Sequence, residues 1–232
     1  MNVDISQNTA FPIAEVTLNA DEKIKIESGS MVYMRGNVKL EGNMNSNGSK
    51  GVGGVLKALG RSMTSGESFF ITSATGKENN SKIALAPAAP GVIKKLEVGQ
   101  IHWRLNTGVF LACEESVSYN MVRQSIGRAI LSGTGGLFVM ETTGAGELLI
   151  NTYGDLIEIN LDGSERFVID NYHVVAWSDT LTYDIEIASG VFGFTTGEGV
   201  VNVFNGKGTV LIQSRNIQQL ASVIDPFVTK AQ

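Results

Sequence analysis

The sequence predicts an all-β protein made of three similar units, with one or two short helices. Glycine fills 27 of 232 positions, often as Gly-x-Gly before an apolar run, as in "GTGGLFVM", "GAGELLIN", "GEGVVNVF" and "GKGTVLIQ". Glycine adopts the positive φ angles of tight hairpin turns without steric cost. Three longer segments also share one spacing of apolar residues. Together these observations indicate strands joined by hairpins.

The Gly-x-Gly motifs do not match a dinucleotide-binding loop. Such a loop follows a strand, opens a helix and carries a third glycine three residues after the second. In the motifs that begin at positions 144, 197 and 206, this place holds Leu149, Asn202 and Leu211. The residues that follow are β-branched or alternate in polarity, as in a strand. We therefore interpret the motifs as hairpin turns.

Three segments align without internal gaps. They are "IKIESGSMVYMRGNVKL", "WRLNTGVFLACEESVSY" and "FVIDNYHVVAWSDTLTY". Apolar residues recur at fixed distances before and after the turn positions Gly29, Gly108 and Tyr172. Hairpin-like partners such as "GESFFITSATGKENNSKIALA" lie between the segments. The pattern predicts a single domain, 1–232, of three β-repeats near 1–64, 65–131 and 132–215.

A glycine-rich stretch, "GSKGVGGVLKALGRSM", interrupts the strand pattern of the first unit. It lacks the Gly-x-x-x-x-Gly-Lys-Ser/Thr order of a phosphate-binding loop. As a helix it has an apolar stripe of Val52, Val55, Leu56, Leu59 and Met63, and cations on another side at Lys50, Lys57 and Arg61. We interpret it as a covering helix and the candidate interaction segment. It would dock on the protein's own sheet or trimer face, or on an anionic membrane or partner protein.

The end of the chain predicts a short amphipathic helix within 216–228. In "IQQLASVIDPF", the residues Ile217, Leu220 and Ile224 recur at helical spacing, and Pro226 ends the run. We expect its apolar face to dock on a sheet or on an adjacent subunit.

Composition argues against several classes of function. Lys and Arg number 18 against 23 Asp and Glu, and the net charge of -5 offers no general attraction to nucleic acid. The single cysteine cannot form an internal disulfide, and two separated histidines cannot supply most zinc sites. Neither a signal sequence nor an apolar run of about 18 residues is present. We expect a cytoplasmic protein without a metal or cofactor.

No arrangement of titratable residues indicates catalysis. Glu114 and Glu115 are adjacent, so on a strand they would point to opposite faces and could not share a proton. His102 and His173 have no recognisable nucleophile beside them. Cys113 follows "VFLA" and is interpreted as a small core residue. We therefore expect no catalytic residues.

Repeated β-units leave strand edges that they cannot cover alone. Neighbouring units would pair with one another, but the first and last units of the chain would each retain an open edge. Closed self-association is the simplest arrangement that removes such edges. The sequence therefore predicts an oligomer.

The order of the motifs resembles a known family. "SGSMVYMRGNVKLEG", "GESFFITSATG", "IALAPAAPGVIKKLEV", "TGVFLA" and "GKGTVLIQSRNIQQLASVI" follow one another as in the family of the mitochondrial altered-inheritance and biogenesis protein. The resemblance implies a fold similar to the tryptophan RNA-binding attenuation protein, with three attenuator-like units of the double-stranded β-helix or sandwich type per chain. It also implies a homotrimer that imitates a larger ring, and it implies no established catalytic activity.

RNA binding does not follow from this resemblance. An attenuator-like ring would need matching cations in all three units, but Arg35 aligns with Glu114 and Ser178. No nucleic-acid partner is therefore expected. The sequence favours a non-enzymatic, oligomeric, ring-like scaffold or binding module. The alternative is a small-molecule-binding protein or enzyme that uses clefts between the repeats.

Overall fold

The computed structural model describes residues 1–43, 71–106, 108–123, 138–188 and 200–228. Antiparallel β-strands dominate these ranges, and the prediction of an all-β fold is confirmed. The predicted unit boundaries near 64 and 131 lie outside the described residues. The division of the chain into three repeats therefore stays a prediction.

The strands fall into three stretches of chain. The first contains β1 (Asn2–Ile5), β2 (Ala14–Leu18), β3 (Lys23–Glu27), β4 (Met31–Arg35), β5 (Val38–Asn43), β6 (Ile71–Gly76) and β7 (Ser81–Leu85). The second contains β8 (Ile93–Val98), β9 (Trp103–Leu105), β10 (Phe110–Glu114), β11 (Val117–Arg123), β12 (Phe138–Gly144) and β13 (Gly146–Asn151). The third contains β14 (Leu156–Asp162), β15 (Phe167–Asp170), β16 (Val174–Ser178), β17 (Thr182–Ile187), β18 (Val200–Asn205) and β19 (Lys207–Gln213).

Glycines form tight turns at two places where consecutive strands do not pair with each other. Gly144 (φ 79°) and Gly146 (φ 147°) flank the turn between β12 and β13, and Gly206 (φ 100°) links β18 to β19. A Cβ atom on Gly144 would lie 2.3 Å from the carbonyl oxygen of Ser116, so only glycine fits there. Neither β12 and β13 nor β18 and β19 pair with each other, because the two strands of each couple lie in different sheets. These two Gly-x-Gly motifs are therefore tight turns, but the prediction that they are hairpin turns is wrong.

The strands of the described ranges pair into four sheets. Their orders are β1-β2-β7-β4 in sheet 1, β5-β6-β3-β10-β13-β8 in sheet 2, β11-β12-β9-β16-β19-β14 in sheet 3, and β15-β18-β17 in sheet 4. Sheets 2 and 3 each combine three strands from one stretch of chain with three from the next. The connecting pairs are β3 with β10 in sheet 2 and β9 with β16 in sheet 3.

Hydrophobic cores lie between successive sheets. Ala14, Val16 and Leu18 of sheet 1 pack with Ile24 and Ile26 of sheet 2. A second core joins the opposite face of sheet 2 to sheet 3, and a third joins sheet 3 to sheet 4. The described sheets therefore form a stack of four, and burial of these apolar faces is the main stabilising contribution.

The chain ends in the predicted helix, α1 (Ile217–Ile224), followed by a 3-10 turn at Asp225–Phe227. Asn216 caps the helix, because its side-chain oxygen accepts a hydrogen bond of 2.7 Å from the backbone nitrogen of Gln219. Pro226 lies in the 3-10 turn that follows. The predicted C-terminal helix is confirmed.

Candidate functional site

The candidate segment from the sequence cannot be placed on the fold. Its residues are Lys50, Val52, Val55, Leu56, Lys57, Leu59, Arg61 and Met63, and all of them lie outside the described residues. Its role as an interaction segment stays a prediction. The described part of the chain offers a different candidate, formed by two open strand edges.

The first open edge is β4, the last strand of sheet 1. Its apolar side chains are exposed, at 39% for Met31, 49% for Val32 and 39% for Met34. Exposed apolar strands at a sheet edge are a template for pairing with another chain. Sheet 1 therefore ends in a surface that is suited to further pairing.

The strands that align with β4 are buried. The pairing of β4 with β7 shifts register between Met31 and Tyr33, and β10 and β16 carry the same shift at aligned positions. The residues aligned with Met31, Val32 and Met34 are exposed by at most 1%; they are Phe110, Leu111 and Cys113 in β10, and Val174, Val175 and Trp177 in β16. What distinguishes β4 is that no described strand pairs with its outer edge.

The second open edge is β15 in sheet 4. This strand pairs with β18 on one side, and none of the described strands lies on its other side. Val168, in the middle of β15, is 45% exposed. The strands aligned with β15 are β3 and β9, which both pair on both sides.

We call the two connecting strand pairs, β3 with β10 and β9 with β16, the internal junctions. Both junctions share one register. In the first, Lys25 lies opposite Cys113 and Ile26 opposite Ala112. In the second, Arg104 lies opposite Trp177, and Leu105 lies opposite Ala176. These pairs occupy the same places in the sequence alignment, so both junctions are built in the same way.

A cation stabilises each internal junction. The Lys25 ammonium group donates to the carbonyl oxygens of Glu115 and Val117, both at 2.8 Å. At the same position of the second junction, the Arg104 guanidinium donates to the carbonyl oxygen of Leu181 at 3.2 Å, and it also lies 3.5 Å from that of Asp179.

Sequence reasoning missed these cations, although the alignment contains the signal. Lys25 and Arg104 both stand four residues before the turn position, where the third segment has Val168. In the sequence, a cation between two apolar residues of a strand looks the same as a solvent-exposed residue. Its carbonyl partners lie on another strand, which the local pattern does not identify.

A polar network covers the outer face of sheet 1 beside β4. The Tyr33 hydroxyl and the Lys82 ammonium group both donate to the Glu15 carboxylate. The bond from Lys82 lowers the pKa of Glu15, and the bond to Glu15 raises the pKa of Tyr33. The Arg35 guanidinium lies 5.6 Å from the centroid of the Tyr33 ring. Sheet 1 is thus polar on this face, and its exposed apolar groups are concentrated along the edge.

The two adjacent glutamates have separate partners. The amino group of Met1 donates to the carboxylate of Glu114 and also lies 3.0 Å from that of Glu147. Glu115 instead lies 3.3 Å from the ammonium group of Lys23. Glu114 and Glu115 therefore form ion pairs with different partners.

Cys113 is a core residue, as predicted. It is fully buried between sheets 2 and 3, and burial raises the pKa of its thiol to about 12. A thiol with such a pKa is protonated at neutral pH and is a poor nucleophile.

Clusters of metal-ligating side chains and membrane-spanning helices are both missing from the described residues. In the described ranges, no group of three or more His, Cys, Asp or Glu side chains could hold a metal ion. No helix in those same ranges is long and apolar enough to cross a membrane.

Comparison with known proteins identifies the family. The family model described as "Mitochondrial biogenesis AIM24" matches residues 3–215. The uncharacterized protein M6_Spy0233 of Streptococcus pyogenes serotype M6 is 46% identical over 229 residues, which cover 98% of this chain and 91% of that protein. The X-ray crystal structure of protein SPYM3_0169 from Streptococcus pyogenes is similar with a TM-score of 0.81 and 45% identity, over 98% of this chain and 99% of that one. The chain belongs to the mitochondrial biogenesis AIM24 family.

Proposed function

We propose that the protein is a non-enzymatic scaffold or binding module whose copies join head to tail into a closed ring. The observation that supports this best is the match between the two open edges. Strand β15 has the position of β3 and β9 in the alignment, and β4 has the position of β10 and β16. Each open edge therefore corresponds to one strand of the junctions that the chain already contains, β3 with β10 and β9 with β16.

The internal junctions predict how two copies meet. With the same register, β15 of one copy lies antiparallel to β4 of the next, and Val168 lies opposite Met34. Sheet 4 of one copy and sheet 1 of the next then form one continuous sheet. The exposed side chains of β4 become buried, as their counterparts in β10 and β16 already are.

An interface of this kind joins two different surfaces. Repetition of such a contact gives a ring when the rotation closes, and an open filament when it does not. A ring leaves no β4 or β15 edge exposed, which removes a site of aggregation. The family resemblance implies that three chains complete the ring, and a homotrimer is the size that we propose.

The charged groups of the described residues support a structural role more than a catalytic one. Lys25 and Arg104 serve strand junctions, and Glu114, Glu115 and Glu147 form ion pairs. Enzymes bring titratable groups together with perturbed pKa values in a cleft. No such group among the described residues favours the alternative of an enzyme or small-molecule-binding protein.

Light scattering at micromolar concentration tests the assembly. We expect a mass of about three times the 24.8 kDa of one chain. Met34→Asp places a charge opposite Val168 in the proposed register and should give smaller species that are still folded by circular dichroism. Ile101→Asp is the control, because Ile101 is similarly exposed, at 41%, but lies on neither open edge. A wild-type chain that stays monomeric would contradict the proposal.

Mass spectrometry of the purified protein tests the non-enzymatic role. A metabolite retained at one molecule per chain would favour the alternative function. Recovery of a specific protein partner that depends on the assembled ring would support the scaffold.

A further inference from the structure

The imidazole of His173 connects the end of β19 to the start of the C-terminal helix. His173 is the last residue of the 3-10 turn Asn171–His173, which follows β15. Its Nδ1 atom lies 2.7 Å from the carbonyl oxygen of Gln213, the last residue of β19. Its Nε2 atom lies 3.0 Å from the side-chain amide nitrogen of Asn216. The ring therefore bridges a strand end and the residue that caps α1.

These two partners require a neutral imidazole. The carbonyl oxygen of Gln213 can only accept a hydrogen bond, so Nδ1 carries a hydrogen and donates it. The amide nitrogen of Asn216 can only donate, so Nε2 carries no hydrogen and accepts. The described arrangement therefore fits one tautomer of the neutral ring and does not fit the protonated ring.

The helix cap fixes the orientation of the Asn216 amide. The Oδ1 atom of Asn216 accepts a hydrogen bond of 2.7 Å from the backbone nitrogen of Gln219. The nitrogen end of the same amide must then point towards His173. Asn216 is only 6% exposed, so water has little access to replace either bond. A single orientation of this amide thus serves both the helix and the imidazole.

The first turn of α1 depends strongly on this cap. The helix has eight residues, and none of them is buried. Short helices are marginally stable in water without tertiary packing. No acidic side chain in the first turn compensates for the free backbone N–H groups. Loss of the Asn216 cap should therefore open the start of the helix.

The described elements around the 3-10 turn carry few charges. Asp170 precedes the turn, and its carboxylate accepts a hydrogen bond of 2.7 Å from the backbone nitrogen of Tyr172. Strand β18 contacts the turn without a titratable residue, and the loop after β9 reaches it through the uncharged Asn106. The other titratable residues on neighbouring segments are Tyr153, Asp155 and Arg215. Among the described residues, the ring nitrogens bond only to Gln213 and Asn216, so a proton gained by the ring acts first on Asn216.

We propose that His173 is a pH-sensitive latch that holds the start of α1. When the ring gains a proton, Nε2 becomes a donor and meets the donor end of the Asn216 amide. A hydrogen bond from a charged imidazole is stronger than the neutral bond of the cap, so the amide turns and presents Oδ1 to His173. The backbone nitrogen of Gln219 then loses its acceptor. The helix is capped at neutral pH and is released at its first turn in acid.

This device goes beyond the proposed scaffold function and does not depend on the ring. It needs only contacts within one chain, and histidine is the side chain that ordinarily changes its charge between about pH 5 and 8. A monomeric wild-type chain would contradict the ring and leave the latch in place.

Nuclear magnetic resonance of the full-length protein tests the latch between pH 7.5 and pH 5. We expect the ring nitrogens of His173 and the backbone amide of Gln219 to change chemical shift in the same titration. The protection factor of the Gln219 amide against hydrogen exchange should fall about fivefold in acid, because an N-cap is lost. His173→Gln cannot change its charge and should abolish the response. His102→Gln, at the other histidine of the chain, is the control and should leave the response unchanged.

Asn216→Asp gives the sharpest test, because it should remove the acid response. One carboxylate oxygen can cap Gln219 while the other accepts from the protonated ring, so the protection factor should stay constant or rise in acid. A fall equal to that of the wild-type chain would overturn the latch. So would a His173 ring that stays neutral down to pH 5, or a Gln219 amide that does not follow the ring.

Discussion

Lys25 and Arg104 hold the same position at two successive strand junctions. Each side chain reaches backbone carbonyl groups that lie beyond the end of the neighbouring strand. The same interaction, a cationic side chain that donates to backbone carbonyl groups, thus recurs at both internal junctions. On β15 this position holds Val168, and none of the described strands pairs with the outer side of β15.

Replacement of Lys25 by methionine should destabilise the fold. The side chain keeps its apolar stem, but the carbonyl groups of Glu115 and Val117 lose a charged donor, which we expect to cost about 1–2 kcal/mol of unfolding free energy. Urea denaturation measures the change. Lys39→Met is the control, because the Lys39 side chain is 55% exposed and its ammonium group lies 2.8 Å from the carboxylate of Glu41, which is also half exposed; its cost should stay below about 0.5 kcal/mol. Equal costs for the two variants would refute a special role for Lys25.

The proposed register predicts a rescue by charge pairing. Met34→Glu alone places an uncompensated charge at each contact between copies and should raise the dissociation constant more than tenfold. Val168→Lys alone introduces the cation that Lys25 and Arg104 provide at the internal junctions, so it should not weaken the assembly. In the double variant every contact has Lys opposite Glu, and such cross-strand pairs are favourable. Sedimentation equilibrium of all four proteins gives the coupling energy. Additive effects would mean that these two positions do not meet.

Glu27 predicts a pH-dependent stability. Burial raises its pKa from 4.5 to about 7. Between these values the folded chain binds a proton that the unfolded chain has released, so this group lowers stability as pH rises from 4.5 to 7. Glu27→Gln removes the effect and should raise the melting temperature at pH 8 but not at pH 4. The exposed Glu165→Gln is the control, and an equal shift in both variants would contradict the assignment.

Two turn glycines should respond differently to alanine. Both Gly144 and Gly29 have positive φ, at 79° and 90°, which costs a side chain roughly 1 kcal/mol. A Cβ on Gly144 would also collide with the carbonyl oxygen of Ser116, whereas Gly29 has nothing within 4 Å. Gly144→Ala should therefore lose at least about 1 kcal/mol more than Gly29→Ala in chemical denaturation. A smaller loss for Gly144→Ala would show that the turn can move.

Local features of the fold could be predicted from the sequence. Positive φ angles need glycine, so the turns at Gly144 and Gly206 were visible as Gly-x-Gly motifs. The helix after Asn216 was visible because its apolar residues repeat at helical spacing. Both signals depend only on neighbours along the chain.

The open edges could not be predicted in the same way. "MVYMR" of β4 and "FLACE" of β10 are both apolar strands at aligned positions, yet one is exposed and the other is buried. The difference lies in whether another strand pairs beside them, and β3 reaches β10 from more than 80 residues away. Local periodicity carries no information about such a partner.

The shared sheets also affect how the chain can fold during its synthesis. Sheet 2 takes β5, β6 and β3 from the first stretch but needs β10, β13 and β8 from the second. When only the first stretch has been synthesised, one side of β3 therefore has no partner strand. It stays unpaired until β10 has also left the ribosome. Sheet 3 repeats this dependence and is complete only after Gln213 has emerged. The nascent chain thus exposes an unpaired strand edge until the next stretch has been synthesised. The rate of translation therefore affects correct folding.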